Sequence, residues 1–108
     1  MHHAIKTAER TLEVTIPGDV LSTNAEQIRS EILALFESDA VKTASWDTLR
    51  LDLTAAKMVD SVGLNLIVSL YKEAHKRRAK AIAVNSNPNI QRTFLFTRLD
   101  KHLQVIMK

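Results

Sequence analysis

Leu12, Val14 and Ile16 alternate with Glu13 and Thr15 until Pro17-Gly18 stops the run. A period of two is what a strand with one buried face produces, so a strand is expected over Leu12–Ile16. Leu49, Leu51 and Leu53 alternate with Arg50 and Asp52 in the same way and predict a second strand. Ala81-Ile82-Ala83-Val84 repeats the pattern with small residues at half of its positions, and Ala4 to Lys6 fits an edge strand. Between strands the period lengthens. Ile28, Ile32, Leu35 and Phe36 recur at helical spacing behind Thr23 and Asn24, with Glu26 placed to complete a capping box on Thr23, which predicts a helix from about Asn24 to Ser38. Leu64, Ile67, Val68, Tyr71 and His75 predict a longer one, from Asp60 or Ser61 to about Arg78, its stripe broadened by Leu66 and Leu70. Pro88 opens a third after Asn87, with Ile90, Phe94 and Leu95 inward. Asp39–Asp47 reads as a connection that lays Trp46 over one end of the core, and Leu103–Met107 fits either a last strand or a short terminal helix.

The order strand, long helix, strand between Leu49 and Val84 is a right-handed crossover, so those two strands should be parallel. Strands covered on both faces read as continuous apolar runs; alternation implies helices on one face and water on the other. The expected fold class is therefore α/β, a single domain over 1–108 with a mixed, mostly parallel β-sheet and helices packed mainly on one face. A chain of 108 residues has room for one such core.

Composition removes several classes of function. Without cysteine there is no disulfide framework, thiolate metal cage or cysteine nucleophile. The longest nearly apolar run, Leu64–Leu70, falls far short of the ~20 residues a membrane helix needs, and the N-terminus lacks the apolar stretch of a signal peptide, so a cytoplasmic location without membrane insertion is expected. The net charge of +3 is spread along the chain apart from Lys76-Arg77-Arg78 and Lys80, which sit where a helix ends and suit its macrodipole or the rim of a partner site. That is too sparse for a nucleic-acid footprint. His2, His3, His75 and His102 have no ligand in register for a metal, two glycines make no phosphate loop, and no triad is spaced for catalysis. No cofactor, metal or enzymatic activity is expected.

One junction stands out. Asp60 and Ser61 immediately precede a helical pattern, where side-chain oxygens cap free N–H groups and the helix N-terminus favours negative charge. Asp52-Leu53-Thr54, then four residues to Val59, then Asp60-Ser61-Val62-Gly63-Leu64 resembles the signature of STAS domains of the bacterial anti-sigma factor antagonist type, and the order of elements resembles that fold over most of the chain. The resemblance implies a phosphorylation site at Ser61 and a partner-binding surface from Thr54, Asp60, Ser61, Val62, Gly63 and Leu64. It implies as partners an anti-sigma factor that is also a serine kinase of the histidine-kinase-like ATPase type, and a serine phosphatase. Val62 stands where relatives commonly have a second small hydroxyl residue, and the segments around Arg78 and Arg98 lack the glycines often found at those helix ends. The alternative is a STAS-type structural subunit of a lipid-transport or signalling assembly that is not phosphorylated, in which Ser61 only caps the helix. Oligomeric state is left open by the sequence.

Overall fold

The computed structural model describes residues 2–108. Five strands, β1 (His2–Lys6), β2 (Thr11–Thr15), β3 (Thr48–Asp52), β4 (Lys80–Asn85) and β5 (Gln104–Met107), lie in one sheet in chain order. β1 pairs antiparallel with β2, and every later pair is parallel. The helices are α1 (Ala25–Glu37), α2 (Asp39–Lys42), α3 (Ser61–Lys76) and α4 (Pro88–Phe96), with 3-10 turns at Thr7–Glu9 and Leu99–Lys101. Each parallel step moves one strand further in the same direction. Right-handed crossovers then have to place all their helices on the same side of the sheet.

The register shows that side directly. Leu12, Leu49 and Ala81 are aligned across β2, β3 and β4, as are Val14, Leu51 and Ala83, and all six are buried against the helices. The alternate row of Glu13, Arg50 and Ile82 is only half-buried, and there Glu13 pairs with Lys6 at 3.3 Å and Arg50 at 3.2 Å. The period of two in the sequence is this division between a helix-covered face and an open one.

From α1, Ile28, Ile32 and Phe36 enter the core, and from α3 Gly63, Leu66, Ile67, Leu70 and Ala74. The α3 stripe thus centres on Leu66 and Leu70. Leu64, Val68 and Tyr71 flank it half-buried, and His75, expected on the stripe, is exposed. Asn87 caps α4 by accepting from the N–H groups of Asn89 (2.9 Å) and Ile90 (3.3 Å), with Pro88 in its first turn, while Ile90 and Phe94 face inward. Leu95, expected beside them, is 48% exposed, because one residue further on turns it about 100° away from the Ile90–Phe94 line.

Other expectations change in detail. The capping box on Thr23 does not form: Asn24 holds the N-cap position and makes no side-chain cap bond, because its amide is engaged with the preceding loop. The connection after α1 contains the short helix α2. Trp46 is half-buried there, its ring 5.7 Å from that of Phe36 and its indole N–H donating to the Val41 carbonyl at 3.1 Å. Leu103–Met107 resolves into strand β5 from Gln104. No helix among the described residues is long and apolar enough to cross a membrane.

Candidate functional site

The carboxyl ends of β2 and β3 run into two loops, residues 16–24 and 53–60, that are tied to each other before their helices begin. Val20 N–H donates to the Met58 carbonyl at 3.1 Å and Asp60 N–H to the Val20 carbonyl at 3.2 Å, a parallel bridge between Val20 and Val59. Asp19 adds a side-chain tie, one carboxylate oxygen accepting from the N–H groups of Lys57 (2.7 Å) and Met58 (3.1 Å). Asn24 braces the first loop from within, accepting from Leu21 N–H at 2.9 Å and donating to the Asp19 carbonyl at 2.8 Å. The two loops therefore behave as one short extension of the β2–β3 ladder.

Asp60 closes this arrangement. Its backbone is extended, and its Oδ1 accepts from Gly63 N–H at 2.8 Å, which makes it the N-cap of α3. Its Oδ2 accepts from Ser22 N–H, also at 2.8 Å. The bonds from Gly63 and then Ser22 hold the carboxyl below its ordinary value, outweighing desolvation, since N–H donors to both oxygens favour the charged form.

Ser61 is the first residue of α3 and is exposed. The capping role that local sequence allowed it belongs to Asp60, so the hydroxyl stands at the helix N-terminus without that duty. Val62 follows, 44% exposed, and Met58 on the loop before is 58% exposed, so two apolar side chains accompany the hydroxyl. Gly63 lies beneath them, buried. A β-carbon there would run into the Val20 carbonyl oxygen, well inside contact distance, and would meet Val59 Cγ1 at 3.0 Å. Glycine lets the first turn of α3 sit directly on the Val20 backbone. Leu64 is half-buried and packs against the core.

Thr54 stands at the other end of the same loop. Its hydroxyl and N–H both donate to Asp52 Oδ1, at 2.6 and 2.9 Å, and its carbonyl accepts from the Ser86 hydroxyl at 2.8 Å, joining the β3 and β4 ends. Burial works to raise the Asp52 carboxyl, yet the two Thr54 bonds, assisted by Lys108 and Arg50, leave it lowered.

The structure thus brings Asp60, Ser61 and Val62 to one surface, sets Gly63 and Leu64 underneath or beside it, and gives Thr54 a bracing position. Sequence reasoning missed Asp19, Ser22 and Met58, and gave Asn24 only a capping role. Asp19 carries a weak signal, being a turn-forming residue next to Pro17-Gly18, and Asn24 carries one as a capping residue ahead of a helical pattern; nothing local marks Ser22 or Met58, whose partners are 38 and 39 residues away. Chemically the surface offers a hydroxyl, first-turn amides and the positive end of a helix dipole, a setting that accommodates added negative charge.

The sequence matches the family described as STAS domain over residues 2–108. It is 26% identical over 100 residues to the anti-sigma F factor antagonist of Lysinibacillus sphaericus, a match that covers 92% of this chain and 81% of the relative. Among solved structures, an anti-sigma factor antagonist from Mycobacterium paratuberculosis superposes with a TM-score of 0.76 at 20% identity, covering 99% of this chain and 86% of that one. The Bacillus cell fate determinant SpoIIAA in its phosphorylated form superposes with a TM-score of 0.62 at 18% identity, covering 99% and 93%.

Proposed function

The chain belongs to the STAS domain family, and from that premise we propose that it is a regulatory binding module of the anti-sigma factor antagonist type, switched by reversible phosphorylation at Ser61. The observation that carries the reading is the division of labour at the start of α3: Asp60 caps the helix on Gly63, and Ser61 is left exposed beside it. A phosphate there adds roughly −1.5 to −2 charges at one point, which the helix N-terminus tolerates. A partner that has to cover Met58 and Val62 and come close to Asp60 does not tolerate it, since the added charge must be desolvated next to a carboxylate. The domain keeps its fold and loses its partner.

The curated relative named an anti-sigma F factor antagonist supports this reading, as do the solved structures of SpoIIAA in phosphorylated and unphosphorylated forms, which are similar to this chain in fold. The partner is then an anti-sigma factor and serine kinase of the histidine-kinase-like ATPase type, acting in the cytoplasm, with a serine phosphatase to reset the switch. Thr54, Gly63 and Leu64 serve the surface by bracing it, and Asp60, Ser61 and Val62 by touching the partner.

Capture from native cell extract tests the proposal. The expected result is an ATPase of that type bound by wild type and by Ser61→Ala and lost with Ser61→Asp. Equal capture by both variants, with Ser61 unmodified in phosphopeptide maps from every growth condition, sinks it.

A further inference from the structure

The basic run at the end of α3 divides in the folded chain. Lys76 pairs with Glu73 at 3.2 Å; Arg77 spans Glu73 (3.0 Å) and Glu37 (2.9 Å), its guanidinium 4.9 Å from the centre of the Phe36 ring. Those two cations are accounted for by their ion pairs, and Arg77 also by its contact with Phe36. Arg78 and Lys80 enter no ion pair among the described residues and instead line a cleft of about 820 Å³, together with Lys101.

The cleft follows from strand length. β4 begins at Lys80 but β5 begins two residues later in register, with Gln104 opposite Ile82, so Lys80 and Ala81 have no β5 neighbour. The notch this leaves is walled by the Leu99–Lys101 turn on one side and by Tyr71 and His75 of α3 on the other. The Tyr71 ring lies 5.9 Å from that of His75 and 5.7 Å from that of His102, and Ala79, Ala81 and Leu103 supply apolar lining. Asp100 is the one carboxylate among the lining residues.

A helix dipole explains cations in the last turn of α3, but it does not explain Lys80 on a strand or Lys101 on a separate turn. Positive charge reaches this cleft from three elements, three cations against the single carboxylate of Asp100. Arg78 does so from a left-handed backbone, φ 61°, a conformation that favours glycine. Unpaired guanidinium and ammonium groups around a part-apolar cleft match a phosphoryl group carried on an organic body, and the volume is within the ~300–1,000 Å³ usual for small-molecule sites.

We propose that this cleft binds a small organic phosphate, its phosphoryl oxygens held by Arg78, Lys80 and Lys101 and its body resting against Tyr71 and the alanine lining. α3 rises ~1.5 Å per residue, so the cleft is about 20 Å from Ser61 and independent of the switch proposed there.

Amide NMR of the nitrogen-labelled protein, titrated separately with phenyl phosphate, inorganic phosphate and phenol, tests it. Phenyl phosphate is expected to give saturable shifts confined to the cleft and to bind at least tenfold more tightly than either fragment. The double variant Arg78→Gly with Lys101→Gln should weaken it at least tenfold while unfolding at or above the wild-type temperature. Absence of saturation, shifts centred on Ser61–Leu64, or unchanged binding by the double variant overturns the proposal. Binding of heparin without phenyl phosphate also overturns it, and identifies the face as a contact for a macromolecular polyanion.

Discussion

Asp60 and Ser22 are 38 residues apart in sequence, yet the carboxylate of one accepts the backbone N–H of the other at 2.8 Å while its second oxygen caps α3 on Gly63. One side chain therefore fixes both the start of a helix and the position of the loop beside it. The exposed hydroxyl of the next residue inherits that rigidity.

The clamp should be sensitive to acid. The Asp60 carboxyl is lowered in the folded chain by the N–H groups of Gly63 and Ser22, so its stabilisation is complete above the ordinary value of 3.8 and is lost as pH falls through the lower folded value. Asp60→Asn is expected to flatten the stability profile below that point and to speed amide exchange at Ser22 and Gly63. Thermal unfolding across pH, with amide exchange, checks both.

Ser61 should be dispensable for folding. Because it is exposed and is not the cap, Ser61→Ala is expected to change unfolding free energy by less than about 0.5 kcal/mol, the range for surface substitutions away from special features. A larger loss in denaturant titration would mean that the hydroxyl has a structural duty after all.

Gly63→Ala sets two effects against each other. Alanine favours a helix by about 1 kcal/mol, but its β-carbon would press on the Val20 carbonyl, which is held by its own bond from Asp60 N–H. Overpacking wins, with a net loss of about 1–3 kcal/mol expected in urea unfolding.

Arg78 and Arg98 both adopt φ 61° just after α3 and α4. At α3 the end is a Schellman arrangement, with Ala79 N–H on the Ala74 carbonyl at 2.9 Å and Arg78 N–H on that of His75 at 3.0 Å. Replacing either arginine by glycine should stabilise the chain by about 0.5–1 kcal/mol, the left-handed penalty less the extra freedom of glycine in the unfolded state. Arg78→Ala keeps the penalty and should bring no gain; unfolding midpoints separate the two.

Leu51 and Glu13 lie on opposite faces of the sheet. Leu51→Ala should cost about 2–5 kcal/mol, as for a fully buried leucine, whereas Glu13→Gln loses only part-exposed pairs with Lys6 and Arg50 and should cost about 1 kcal/mol or less. Similar losses in the two variants would contradict a sheet covered on one face.

Read from the chain alone, the strands at Leu12 and Leu49 and the long helix after Asp60 were all legible, because one-sided burial writes a period of two or of 3.6 into the residues themselves. So was the covering of a single face, which follows from alternation and the handedness of crossovers. Leu95 and His75 misled because an apolar or aromatic residue at the margin of a helical stripe fits either side of it. Which of Asp60 and Ser61 caps α3, and how Asn24 braces its own loop, are local matters the sequence left open; the ties of Asp19 to Lys57 and Met58 and of Ser22 to Asp60 were decided only in three dimensions. They depend on β2 and β3 ending side by side, so that two loops distant in sequence exchange hydrogen bonds, and no local pattern encodes which strand ends become neighbours.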